Sequence, residues 1–211
     1  MGYIKQRIAE LTKEFGGKAK ASKACMEWFE EGIKSKSVNE AISTRSRFQP
    51  GKIYVFEYTP KYAKELPWFD KNPVVLAIEE VGGNDFGVNL NLLPVKFKEK
   101  FLDDLHTRMH IKVDKTETSI IDELLGTSAP SKTNAKTEKP LKLTYTGMKK
   151  YLEKEGYDFA LRQYIPIRKK RQAVVSYSKW PEIAICDFMD FHNTNVMKIR
   201  LMFNDYLKKN I

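Results

Sequence analysis

An α+β fold is predicted for this chain of 211 residues, built as a small antiparallel sheet or SH3-like half-barrel with N-terminal, inserted and C-terminal helices. Three observations predict it. Apolar residues recur at three- and four-residue steps near the start, around residues 95–109 and near the end, which is helical spacing. Between Pro50 and Leu92, short runs rich in β-branched and aromatic residues are separated by turn signals. Both patterns return after a polar stretch at 114–140. The implied organisation is N-terminal helices over 1–47, an α+β core over 48–113 and 141–190, a flexible excursion over 114–140, and a C-terminal helix over 191–211.

The first helix carries Ile4, Ile8, Leu11 and Phe15 on one side and stops at Gly16-Gly17. A second runs from about Lys18 to Lys36, with Ala21, Cys25, Trp28, Phe29 and Ile33 as its apolar stripe. A short third helix fits Val38–Ile42. Pro50-Gly51 marks the change to strands. In Ile53-Tyr54-Val55-Phe56-Glu57-Tyr58, the residues Tyr54, Phe56 and Tyr58 share one face and Ile53 and Val55 the other. Both faces are apolar, which predicts a central strand. Pro73–Glu79 and Phe86–Leu92 form a hairpin about Gly82-Gly83-Asn84-Asp85. Pro94 opens a helix to about Met109, with Phe97, Phe101, Leu102 and Leu105 inward.

Thr118–Leu125 fits a short helix, and 126–140 reads as a linker of small, polar and Pro residues. Thr146–Glu155 is helical and closed by Gly156. Phe159, Leu161 and Tyr164 lead to Pro166. Gln172–Tyr177 reads as a fourth strand, Trp180–Ile185 as helix or strand, and Val196–Lys209 as a final basic helix.

Composition narrows the class. A hydrophobic fraction of 42% with 12% aromatic residues is too high for a disordered chain. No apolar run is long enough to span a membrane, and the first residues have no signal-peptide core. Two distant cysteines, Cys25 and Cys186, fit buried thiols in a reducing compartment. The net charge of +10 is localised. Residues 37–140 balance at 15 Lys+Arg against 15 Asp+Glu, whereas 141–211 carry 14 against 7, a net +7. The densest cluster is Arg168-Lys169-Lys170-Arg171. Four adjacent cations would displace counterions from phosphates or face an acidic partner, and they equally suit a solvated loop before a strand.

Signatures of catalysis are missing from the sequence: no P-loop, no dinucleotide fingerprint, no HExxH and no nucleophile elbow. His106 and His110 are spaced to share a metal on a helix, but this spacing more often marks a solvated helix end. The chain is therefore expected to be non-enzymatic, without a cofactor or metal. Tyr54, Phe56 and Tyr58 would suit a base-stacking platform, yet their charge-poor, doubly apolar setting favours a core strand.

One loop is unusual. In Lys61–Pro73, KYAKELPWFDKNP, the unit Pro67-Trp68-Phe69-Asp70 combines a stiff turn, two aromatics and a turn-capping carboxylate. It reads as a self-packed connection or as a protein-interaction loop. This loop, the aromatic strand before it, and Phe86-Gly87-Val88-Asn89-Leu90-Asn91-Leu92-Leu93-Pro94 after it follow an LPxxD…GxNLxxLP pattern. Together with Ala24–Phe29 and Arg162-Gln163-Tyr164, the pattern resembles small virion structural and assembly proteins of tailed bacteriophages. Trp68-Phe69 stands where that pattern has two tyrosines, and Asn91 where it has histidine.

The resemblance implies a virion component made in the cytoplasm of a bacterial host. It further implies a head–tail connector or neck ring near packaged DNA, with portal, neck or tail subunits as partners, assembly as a homo-oligomer, and no membrane. The alternative is a soluble nucleic-acid-binding accessory protein, such as a DNA-end protector or replication factor.

Overall fold

A computed structural model describes residues 2–34, 47–66, 69–109 and 143–188, with Lys198, Leu201, Met202 and Asp205. The short helices expected at 38–42 and 118–125, the 114–140 excursion and most of the C-terminal helix lie outside the described residues, as do the side chains of Trp28, Phe29 and Ile33.

The fold is α+β, with five antiparallel strands: β1 (Ile53–Tyr58), β2 (Val74–Val81), β3 (Asn84–Asn89), β4 (Leu161–Tyr164) and β5 (Lys169–Val175). Their order is β4-β3-β2-β1-β5. The first four form a meander and β5 returns beside β1, the strand order of an SH3-like half-barrel. No β4–β5 pairing occurs among the described residues. The β1–β5 register slips between Val55 and Glu57, and the β2–β3 register between Ala77 and Glu79. Such bulges bend and twist their strands.

The alternation read in β1 is the alternation observed. Ile53 and Val55, with Val74, Leu76, Ile78, Val88 and Ala173, face the main core. Tyr54 and Phe56, with Val75, Ala77 and Tyr164, face a smaller cluster on the other side. β1 is an interior strand, as two apolar faces require.

Helices cover the main core. They are α1 (Tyr3–Glu14), α2 (Lys18–Lys34), α3 (Val95–Met109), α4 (Tyr145–Glu155) and the short α5 (Trp180–Ile185). Ile4, Ile8 and Leu11 of α1 are buried. The chain leaves α1 through Gly16 and Gly17, both with positive φ, and the Gly17 N–H reaches back to the Thr12 carbonyl at 2.8 Å. Only glycine adopts that conformation cheaply. In α2, Met26 joins Ala21 and Cys25 in the core. In α3 the four expected apolar residues are buried, and the Pro94 carbonyl accepts from Phe97 and Lys98. Thr144 caps α4 by accepting from the Gly147 N–H at 3.2 Å, and Gly156 ends it at φ 77°.

Two expectations are corrected. Leu161–Tyr164 is a strand, β4, and not a lead-in to Pro166. The next strand starts at Lys169 rather than Gln172 and stops at Val175, before a 3-10 turn at Tyr177–Lys179. Trp180–Ile185, whose sequence fits helix and strand alike, is helical and wholly buried.

A buried lysine, a buried thiol pair and a half-buried histidine belong to this scaffold. Lys98 is enclosed, donates to the Cys186 carbonyl and lies 4.7 Å from the Phe188 ring. Burial lowers its pKa to about 8. Cys25 and Cys186 are both buried and their thiols share a hydrogen bond. His106 completes a three-ring cluster with Tyr3 and Tyr177, with ring centroids 5.6 and 5.3 Å away and the two tyrosines 5.6 Å apart, and partial burial lowers its pKa. It is one ring of an aromatic cluster in this setting. His110 lies outside the described residues.

Candidate nucleic-acid interface

The second face of the sheet, opposite the main core, gathers the unusual residues. β3 presents Asp85, Gly87 and Asn89 to it; β4 presents Arg162 and Tyr164, in register with Gly87 and Asp85 respectively. β1 adds Tyr54, Phe56 and Tyr58. Tyr164 meets Phe56 and Tyr58 edge-on, with centroids 5.2 and 5.1 Å away. Phe48 stacks on Tyr54 at 4.7 Å. Gly87 is required here, because a Cβ at this position would lie 2.3 Å from Val75 Cγ1 and 2.7 Å from the Leu76 carbonyl oxygen.

Tyr54 and Phe56 are buried. They are core, as their setting in the sequence implied, and do not form an open stacking platform. Tyr58 is half-buried, and its hydroxyl accepts from the Ile165 N–H at 3.3 Å. That bond fixes the turn from β4 into β5.

The basic cluster sits on that turn and divides. Lys169 does not reach solvent. Its ammonium is buried 2.5 Å from the Asp85 carboxylate, with both side chains fully enclosed, and lies 3.9 Å from the Phe48 ring centroid. Asp85 also accepts from the Phe48 N–H at 3.2 Å. The expectation that Lys169 contacts a polyanion is corrected by this burial: Lys169 pins β5 and Phe48 to β3. Lys170 and Arg171 are exposed and Arg168 is half-buried. Arg171 has φ 49°, a left-handed conformation unusual for a side-chain-bearing residue, and pairs with Glu57 at 2.9 Å. Beside them Ile167 stands 76% exposed, in a 3-10 turn at Pro166–Arg168.

The LPxxD loop and the GxNLxxLP segment converge next to this turn. Asp70 Oδ1 accepts from the Asn72 N–H at 3.0 Å, the turn cap expected of it. Its Oδ2 accepts from Asn91 Nδ2 at 2.6 Å and Asn89 Nδ2 at 3.4 Å. Asn89 in turn accepts from the Asn91 N–H at 3.0 Å, which shapes the 3-10 turn at Leu90–Leu92. Phe69 and Asp70 are half-buried; Pro67 and Trp68 lie outside the described residues. Asp70 is thus engaged by hydrogen bonds within its own chain.

Between these parts is a cavity of about 120 Å³, whose wall includes Tyr58, Phe69, Asp70, Asn89, Arg162 and Tyr164. Burial lowers the pKa of Arg162 and raises that of Tyr164 well above its ordinary value. Sequence reasoning alone does not assign roles to Asn89, Asn91, Arg162 and Tyr164. Their signal is there nonetheless: two asparagines at alternate positions after a loop aspartate, and an Arg-Gln-Tyr run within the same resemblance. A larger groove, about 660 Å³, lies between α2, α3 and the end of α5, with Lys18, Lys23 and Lys96 at its edge. No cluster of three or more metal-ligating side chains occurs among the described residues, and no described helix is long and apolar enough to cross a membrane.

Residues 3–122 match the profile of the phage T4 terminal DNA protecting protein family. The chain belongs to that family. The matched span runs from α1 through β1, β2, β3 and α3, and so includes the Asp70 loop and the Gly87–Pro94 segment. β4 and β5, with the exposed cations and Arg162 and Tyr164, follow it. No curated protein and no solved structure matches the chain.

Proposed function

We propose that this protein binds the ends of linear phage DNA and shields them, acting by occupancy rather than by catalysis. The observation that carries the reading is the family match over residues 3–122. It favours the DNA-end alternative over the head–tail connector ring that the motif resemblance first implied. The β4–β5 turn supplies a surface suited to the task. Arg168, Lys170 and Arg171 stand where they can meet phosphates. Ile167, exposed among them, is the kind of apolar side chain that packs against an unstacked or terminal base pair. The protein would work in the phage particle, at the end of the packaged genome, after synthesis in the bacterial host.

The test uses a linear duplex titrated at several salt concentrations. Replacing Arg168, Lys170 and Arg171 together by alanine is expected to weaken binding. The log–log salt slope should shrink by about one for each phosphate that is no longer neutralised. Lys169 is left intact, because its loss would report on folding. An unchanged slope would take these residues out of the interface.

A further inference from the structure

Cys25 and Cys186 stand far apart in the chain but side by side in the fold. The Asp187 N–H donates to Ser22 Oγ at 3.2 Å, which fixes the end of α5 against α2. Cys25 lies one helical turn beyond Ser22 on the same face of α2, and Cys186 directly precedes Asp187. The two thiols are thereby brought together, and they share a hydrogen bond. Both residues belong to the main core, 5% and 1% exposed. Two sulfurs already in contact are the starting geometry that disulfide formation requires.

The contact also separates the roles of the two sulfurs. The hydrogen bond from Cys186 lowers the pKa of the Cys25 thiol, and the same bond, with burial, raises that of Cys186. Cys25 is thus the sulfur that becomes thiolate, and the thiolate is the nucleophile in sulfur oxidation. Lys98, whose ammonium donates to the Cys186 carbonyl, places a positive charge beside the pair. A small oxidant has an approach: the groove of about 660 Å³ is lined by Ser22 and Met26, which bracket Cys25 in sequence, and by Ile185 and Asp187, which bracket Cys186.

We propose that Cys25 and Cys186 form a reversible disulfide when the protein meets a hydroperoxide, stapling α2 to the end of α5. The Cys25 thiolate attacks one peroxide oxygen. The O–O bond breaks, the sulfur is oxidised to a sulfenic acid, and the displaced oxygen takes up the proton that Cys25 lost. The Cys186 sulfur then attacks the Cys25 sulfur. The S–OH bond breaks, and the released hydroxide takes the Cys186 proton. With hydrogen peroxide, two thiols and one peroxide give one disulfide and two waters. In the reducing cytoplasm of the host the pair stays as thiols; a protein carried in a released particle meets an oxidising medium, where the staple forms. This chemistry does not depend on the DNA-end reading.

The full chain, reduced and freed of reductant, is treated with hydrogen peroxide. Its free thiols are then counted by maleimide labelling under denaturing conditions and by intact mass. The expected product is a monomer that has lost both thiols and about 2 Da. It should regain them with dithiothreitol, and should melt higher than the reduced chain by about 5 °C or more. In Cys186→Ser the reaction should halt at the Cys25 sulfenic acid, trapped by dimedone, whereas Cys25→Ser should trap little. If a serine variant does not fold, the wild-type mass and melting measurements decide alone. Retention of both thiols, sulfinic acid or linked dimers as the main product, a melting temperature unchanged or lowered by oxidation, or equal trapping in the two variants overturns the proposal.

Discussion

The residue that most separates charge in the sequence from charge on the surface is Lys169. Four consecutive cations look equivalent in the chain, yet one is enclosed against Asp85 and under Phe48. Taking two charges out of water is expensive, and removing one partner strands the other. Asp85→Asn is therefore expected to cost about 3–5 kcal/mol of stability, read by denaturant unfolding. A change below about 1 kcal/mol would mean that the pair is better hydrated than its burial implies. Lys98 makes a different prediction. Its folded pKa, about 8, is below that of an unfolded lysine. Above pH 8 the folded state has released a proton that the unfolded chain still holds, so stability rises with pH. Urea unfolding between about pH 7.5 and 9.5 should show that rise, and Lys98→Met should flatten it. The window stops there because buried tyrosines with raised pKa values act in the opposite sense at higher pH.

At the scale of elements, the parts legible in sequence are those whose periodicity has one cause. The face assignment of β1, the hairpin, the inward residues of α3 and the Gly156 stop of α4 follow from spacing and turn chemistry alone. β4 is not legible because four residues, Leu161–Tyr164, are too few to show alternation, and because Arg162 faces inward on an edge strand. The start of β5 is hidden because Lys169 and Arg171 look like loop residues. Burial of Lys169 depends on Asp85, distant in sequence, and Arg171 sits at the β1–β5 register shift in a left-handed conformation. The polar site is hidden for the same reason: Asp70, Asn89 and Asn91 meet only once β3 is placed beside the loop. The bulge yields its own prediction. Arg171→Gly relieves the left-handed strain while removing an exposed charge, so stability should stay within about 1 kcal/mol of wild type. DNA affinity should nevertheless fall, by a filter or anisotropy assay. Unchanged affinity would exclude Arg171 from the interface.

At the scale of the molecule, two layers divide the work. One face of the sheet packs against helices α1–α5 in a conventional apolar core. The other carries aromatic rings, a buried ion pair, the Asp70 clamp and a small polar cavity, with the exposed cations at its β4–β5 edge. The C-terminal excess of +7 is thus only partly a surface property, since Lys169 and Arg162 belong to the interior side of that face. The neutral middle of the chain is where the family pattern lies, and it builds the frame that presents those later residues. The central claim is that this frame holds the end of a DNA duplex, and digestion by an exonuclease that starts at duplex ends tests it most directly. Linear DNA saturated with the protein is expected to survive intact, while an endonuclease cutting internal sites should proceed unhindered on the same complex. Loss of the linear DNA at the rate seen without protein, or equal inhibition of both enzymes, would contradict the account.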